Sequence, residues 1–116
     1  MTPESDMAET FTTKLGNTSK AGTRTRIWIE GKRLVAAGFT PGALYRRKWF
    51  DNDRVLTLTV VDQSRFDELA RDAKGTVSGK GEKPIIDIVG ARVFNVFGHG
   101  ETVTVTYTKN TIIITG

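Results

Sequence analysis

A stretch of about thirty residues is used twice in this chain, and any fold must accommodate both copies. The first runs Ile27-Trp28-Ile29-Glu30-Gly31-Lys32-Arg33-Leu34-Val35-Ala36-Ala37-Gly38-Phe39-Thr40-Pro41-Gly42 and ends at Val55-Leu56-Thr57-Leu58. The echo begins at Ile85-Ile86-Asp87-Ile88 and passes through Gly90-Ala91-Arg92-Val93 and Phe97-Gly98-His99-Gly100. It closes on Val103-Thr104-Val105-Thr106-Tyr107 and Ile112-Ile113-Ile114. A shift of 58 positions lays Phe97 on Phe39, Gly100 on Gly42, Tyr107 on Trp49, Asn110 on Asn52 and Ile113 on Val55. One gap before Phe97 also lays Gly90 on Gly31 and Arg92 on Arg33. Duplication of one unit explains the pattern; convergent use of glycine turns and Val/Ile strands is the alternative.

With 116 residues to divide, two copies are too small for separate cores, so they are expected to share one. The chain has no cysteine and one histidine. That removes disulfides and thiolate metal sites, and no cofactor is expected. The opening residues lack the apolar core of a signal peptide. No apolar run approaches the roughly 20 residues that cross a bilayer. A soluble, cytoplasmic protein without a membrane partner is the expectation, nucleoid-associated if it binds DNA.

Residues 1–22, with Met7, Phe11 and Leu15 as scattered large apolar side chains, read as a flexible arm. Residues 23–61 form a first half. Alternation puts Ile27 and Ile29 inward on a strand. Gly38 closes a helical turn, and Thr40-Pro41-Gly42 makes a tight turn. Leu44, Arg46 and Lys48 fall on one side of the next strand, and Tyr45, Arg47 and Trp49 on the other. Residues 62–84 read as a helix of about ten residues capped near Ser64, followed by a glycine-rich connector. Gly79-Lys80-Gly81 lacks the spacing and following helix of a phosphate loop. Residues 85–116 repeat the plan, with little basic charge.

The net charge of +4 is unevenly spread. Between Thr12 and Phe50 nine basic residues face Glu30 alone, a net of +8, so the remainder is acidic. Such a segment suits a polyanion, because Lys and Arg that neutralise phosphates release counterions. A solvated basic face without a partner fits the same charge.

The order of strand, Gly-Arg turn, helical turn, Gly-Phe-x-x-Gly corner and basic hairpin resembles the AbrB-type swapped-hairpin family, and within it the SymE-like toxin branch. Ile29-Glu30-Gly31-Lys32-Arg33-Leu34, Ala36-Ala37-Gly38-Phe39-Thr40-Pro41-Gly42 and Val55-Leu56-Thr57-Leu58 carry the likeness. The C-terminal half follows in outline. The resemblance implies a mainly β fold with short helices, in which two interlocked hairpins make a small pseudo-twofold β-barrel. It also implies DNA binding by a regulator or toxin-like protein. Both halves being in one chain, a monomer can complete the barrel, and a homodimer is not required.

Arg24, Arg26, Lys32, Arg33, Arg46, Arg47 and Lys48 are the candidate nucleic-acid contacts, since Arg grips phosphate or guanine in bidentate fashion and Lys grips phosphate. Trp28, Tyr45 and Trp49 are candidates for stacking on the bases of single-stranded DNA or RNA, although core packing or shielding of a barrel edge is the favoured reading of each. His99 reads as a turn residue, with no nucleophile or carboxylate arranged for catalysis, and Asp87 reads as paired with Arg92. An enzyme is not expected. The rival function is a protein-interaction module or inhibitor, of the kind a phage or mobile element encodes, gripping an acidic protein.

Overall fold

The computed structural model describes the backbone of residues 9–14, 16–17, 25–98 and 102–116, and side chains for 26–98 and 102–116. Ten strands are assigned there: β1 (Glu9–Lys14), β2 (Gly16–Asn17), β3 (Thr25–Glu30), β4 (Leu44–Phe50), β5 (Val55–Val60), β6 (Lys74–Thr76), β7 (Ser78–Lys80), β8 (Lys83–Gly90), β9 (Thr102–Thr108) and β10 (Thr111–Thr115). Three short helices, α1 (Lys32–Ala36), α2 (Gln63–Asp67) and α3 (Ala91–Phe97), complete a mainly β fold.

The strands form two sheets, one of six in the order β1-β9-β10-β5-β4-β6 and one of four in the order β2-β3-β8-β7. Alternating apolar residues decide which face of each turns inward. Ile27 and Ile29 on β3 pair with Ile88 and Ile86 on β8, and all four are buried. On the larger sheet Leu56, Leu58, Val103, Val105, Ile112 and Ile114 face them across one core. Leu34 from α1, Val93 and Phe97 from α3, and Phe39 fill the space between.

Each copy leaves its first strand through a glycine in a conformation that L side chains avoid: Gly31 has φ 107° and Gly90 φ 142°. No atom lies near a Cβ built at either position, so backbone conformation alone calls for glycine there. After α1 the expected corner forms. Gly38 takes φ 92°, and the Ala43 amide donates to the Thr40 carbonyl at 2.9 Å around Pro41 and Gly42, the latter at φ 89°.

The two copies meet at their strands and hairpin tips. β3 pairs with β8 so that Trp28 faces Asp87, and β5 pairs with β10 so that Thr57 faces Ile113. The tip of the β9–β10 hairpin reaches the end of α1, where the Asn110 amide donates to the Ala37 carbonyl at 2.8 Å. The tip of the β4–β5 hairpin reaches the end of α3, where Arg54 donates from Nε to Val96 O at 3.2 Å and from Nη2 to Phe97 O at 2.8 Å. Each hairpin thus holds the helix of the other copy.

Several expectations need correction. The sheets stay open, with no sheet closed into a barrel. β1 and β6 end the larger sheet at its two edges, and one residue further each chain segment enters the smaller sheet as β2 or β7. A change of sheet at a corner turns the ladder aside before it can close. Residues 9–14 and 16–17, assigned from sequence to a flexible arm, are strands paired with β9 and β3, because those strands offer free ladder edges. The remaining positions from 1 to 24, including Arg24, lie outside the described residues, as does His99.

The repeat also shifts inside the hairpins. Residues 51–54 join β4 to β5, whereas Lys109 and Asn110 alone join β9 to β10. The 58-residue offset that relates β4 to β9 therefore falls to 56 beyond the turn. Ile112 and Ile114 match Leu56 and Leu58, and Asn110 at φ 63° matches Arg54 at φ 56°. The pairings of Asn110 with Asn52 and Ile113 with Val55 do not hold. The helix after β5 spans five residues, with the Asp62 carboxylate capping it by accepting the Arg65 amide at 2.9 Å; a 3-10 turn at Arg71–Ala73 follows.

Candidate nucleic-acid interface

Side-chain alternation on β4 separates the basic run that looked continuous in sequence. Arg47 and Trp49 lie opposite Leu58 and Leu56, which are fully buried, so Tyr45, Arg47 and Trp49 face the interior side. Arg46 and Lys48 lie opposite Thr59 and Thr57 and face outward. The outward face continues through Thr111, Ile113 and Thr115 on β10 and alternate positions Thr102 to Thr108 on β9. On the other flank Lys74 of β6 stands opposite Arg46.

Among the described residues, no strand position on this face is acidic. The chemistry presented is mainly hydroxyl and cation, with Ile113 and Phe50 as apolar members. Arg46 and Lys48 are roughly 7 Å apart along the strand, and Lys74 is roughly 5 Å from Arg46 across the ladder. Threonine hydroxyls and Lys or Arg are among the groups that contact nucleic-acid phosphates. Lys48 also lies 5.3 Å from the ring of Phe50, which is 38% exposed, and Lys74 lies 5.2 Å from that of Phe66.

The other candidates are dispersed. Arg26 is on the outward face of the smaller sheet, turned away from Arg46; its Nε is 3.0 Å from Asp87 Oδ1 and its guanidinium 5.3 Å from the Trp28 ring. Lys32 and Arg33 are exposed on α1. Arg47 lies beside the Tyr45 ring at 5.9 Å. Burial pushes the Tyr45 phenol above its ordinary value, and the neighbouring Arg47 charge offsets part of that shift.

The three aromatic candidates do not form one stacking surface. Tyr45 is buried, 5.9 Å from Phe39 and packed against Gly75. Trp49 packs on the core with the Arg92 guanidinium 5.1 Å over its ring. Arg92 bonds Asp51 at 2.9 Å and Asp72 at 3.2 Å, tying α3 to the first hairpin and to the turn before β6. The expected Arg92–Asp87 pair is therefore replaced: Asp87 sits beside Arg26 on the opposite side of the β3–β8 pair. Of these three, Trp28 alone is exposed, at 43%, and it lies on the smaller sheet.

Sequence reasoning missed Lys74 as a member of the basic face, and Arg65, which α2 brings beside Arg46 at the end of that face. Lys74-Gly75-Thr76 is too short to show strand alternation. Its one signal is Gly75, whose missing side chain leaves room for the Tyr45 ring. Among the described residues, no group of three or more His, Cys, Asp or Glu is arranged to hold a metal ion, and no helix is long and apolar enough to cross a membrane. Compared with protein-family models, curated proteins and solved structures, the chain has no match.

Proposed function

We propose that the protein binds double-stranded nucleic acid, DNA in the first instance, across the outward face of its six-stranded sheet, as a regulator or toxin-like binder and not as an enzyme. The observation that carries this reading is that, among the described residues, no strand position on that face is acidic, while Arg46, Lys48 and Lys74 stand there among threonines. Six strands span about 24 Å, over which a duplex carries on the order of 14 phosphate charges. Duplex is favoured over single strands because Tyr45 and Trp49 are buried or covered and Trp28 is on the other sheet. That leaves Phe50 beside Lys48 as a single exposed ring on this face among the described residues, too few for a run of stacked bases.

The same reading takes the fold as a pseudo-twofold swapped-hairpin arrangement of AbrB/SymE type within one chain. Support comes from the reciprocal hold of each hairpin tip on the other copy's helix. The cations belong to the first copy. The second copy has Thr104 and Thr106 where the first has Arg46 and Lys48. A single chain then grips from one side and has no use for a palindromic site.

A second reading, an interaction module for an acidic protein, is favoured by Trp28 and Val89, 43% and 42% exposed on the smaller sheet beside Arg26. Replacement by alanine separates the two. Under the nucleic-acid reading, Arg46→Ala, Lys48→Ala and Lys74→Ala each weaken duplex binding and flatten its log–log salt dependence by about 0.9, whereas Trp28→Ala leaves it unchanged. Loss of binding in Trp28→Ala alone, with the three basic variants unaffected, would overturn it.

A further inference from the structure

At the end of the basic face where β5 gives way to α2, a cleft of about 290 Å³ is lined by Arg46, Thr59, Val60, Val61, Asp62 and Arg65. We propose that this cleft seats one backbone phosphodiester of a bound nucleic acid and fixes the protein's position on it, an inference that rests on the function proposed above.

The arginines in this cleft lack the partners that Arg26, Arg54 and Arg92 have. Arg26 and Arg92 have carboxylate partners, and Arg54 donates to helix carbonyls. Arg46 and Arg65 have no carboxylate within ion-pair distance among the described residues. The Nε of Arg46 is buried and has no hydrogen-bond partner; the same holds for that of Arg47 on the interior side of β4, but Arg46 is the one that lines the cleft. A buried, charged donor without a partner is costly in a native structure unless a ligand completes it. The planar fork of arginine matches two oxygens of a phosphate at once.

Thr59, opposite Arg46 on the neighbouring strand, brings a hydroxyl to the same place. Asp62 selects among anions. Its Oδ1 accepts the Arg65 amide at 2.9 Å, and the carboxylate is part of the cleft lining. Two cations and one anion leave a net of about +1 in the cleft, which suits a singly charged diester better than a phosphate monoester carrying up to two charges. The repeat provides no second cleft of this kind, since Thr104 replaces Arg46 in the other copy.

The test uses the full chain labelled with 15N, following the Arg46 Nε–Hε resonance, assigned by its loss in Arg46→Lys. Dimethyl phosphate and duplex DNA should each shift that resonance, and sodium chloride at matched ionic strength should not. Arg46→Lys and Arg65→Lys should each lower duplex affinity about tenfold without changing the salt slope, because lysine keeps the charge but not the fork. Duplex binding at wild-type strength in both lysine variants, or an unmoved Arg46 resonance at saturation, would overturn the cleft while leaving the function proposed above in place. A shift with dimethyl phosphate but no duplex binding would overturn both assignments and leave a site for a free anion.

Discussion

Replacing Arg54 tests whether the two copies are clasped together by their hairpin tips. Its backbone sits at φ 56°, a left-handed conformation that costs a non-glycine residue about 1–2 kcal/mol. Its guanidinium bonds two carbonyls at the end of α3, at 3.2 Å and 2.8 Å in a part-buried setting. Hydrogen bonds to charged groups contribute about 1.5–3 kcal/mol each. Solvent access and the freedom regained by the side chain reduce the pair to about 2–4 kcal/mol. Arg54→Ala should therefore destabilise the fold by about that amount. Arg54→Gly should do so by about 1 kcal/mol less, because glycine relieves the left-handed strain. Urea unfolding followed by tryptophan fluorescence reads both. With a slope of roughly 1–3 kcal/mol per molar urea, the alanine midpoint should fall by about 0.7–4 M at constant slope. A loss below about 0.5 kcal/mol for alanine would show that the contact does not hold the copies together.

Other perturbations separate packing from binding. Gly75→Ala should destabilise by about 1–3 kcal/mol in the same assay, since a Cβ there overlaps the Tyr45 ring. Arg47→Ala should lower stability yet leave duplex affinity within about twofold by anisotropy, because its side chain is on the interior side of β4. Arg92→Ala should cost only about 1 kcal/mol despite two ion pairs, as its side chain is 44% exposed and surface pairs are weak. A double-mutant cycle with Asp51→Ala measures the coupling. Tyr45 favours its neutral form when folded, its pKa being raised by burial. Its contribution is thus complete below the unfolded value near 10 and is lost as pH rises through the folded value. Tyr45→Phe should accordingly become more stable relative to wild type as pH rises above about 10.

The hairpins, the glycine exits at Gly31 and Gly90, and the shared core were legible because each rests on local rules of alternation and backbone conformation. β1-β2 and β6-β7 were not. Each crosses from one sheet to the other within a few residues, and among their described side chains only Gly75 and Val77 are buried, too few for periodicity to register. The register of this crossing is the same in both halves. Lys14 faces Thr102 as Thr76 faces Leu44, and Gly16 faces Arg26 as Ser78 faces Ile85. The structural correspondence between the two halves therefore extends to strands that precede Ile27.

The candidate site was half legible for a related reason. Alternation already divided Arg46 and Lys48 from Arg47, but sequence alone does not say which side is buried. Leu56 and Leu58 across the ladder decide it. Lys74 joins them through a pairing 28 positions away in sequence, which no local pattern announces. The partners of Arg92 lie 41 and 20 positions off, while Asp87, the neighbour in sequence, turns to Arg26.

The most direct test of the central claim is a fluorescence-anisotropy titration of the purified chain with labelled duplex DNA, single-stranded DNA and RNA, at about 50 and 200 mM salt. Three to four phosphate contacts predict duplex binding that weakens roughly 40- to 150-fold between the two conditions, with single strands bound less well. No duplex binding at the lower salt, or binding that ignores salt, would contradict the account.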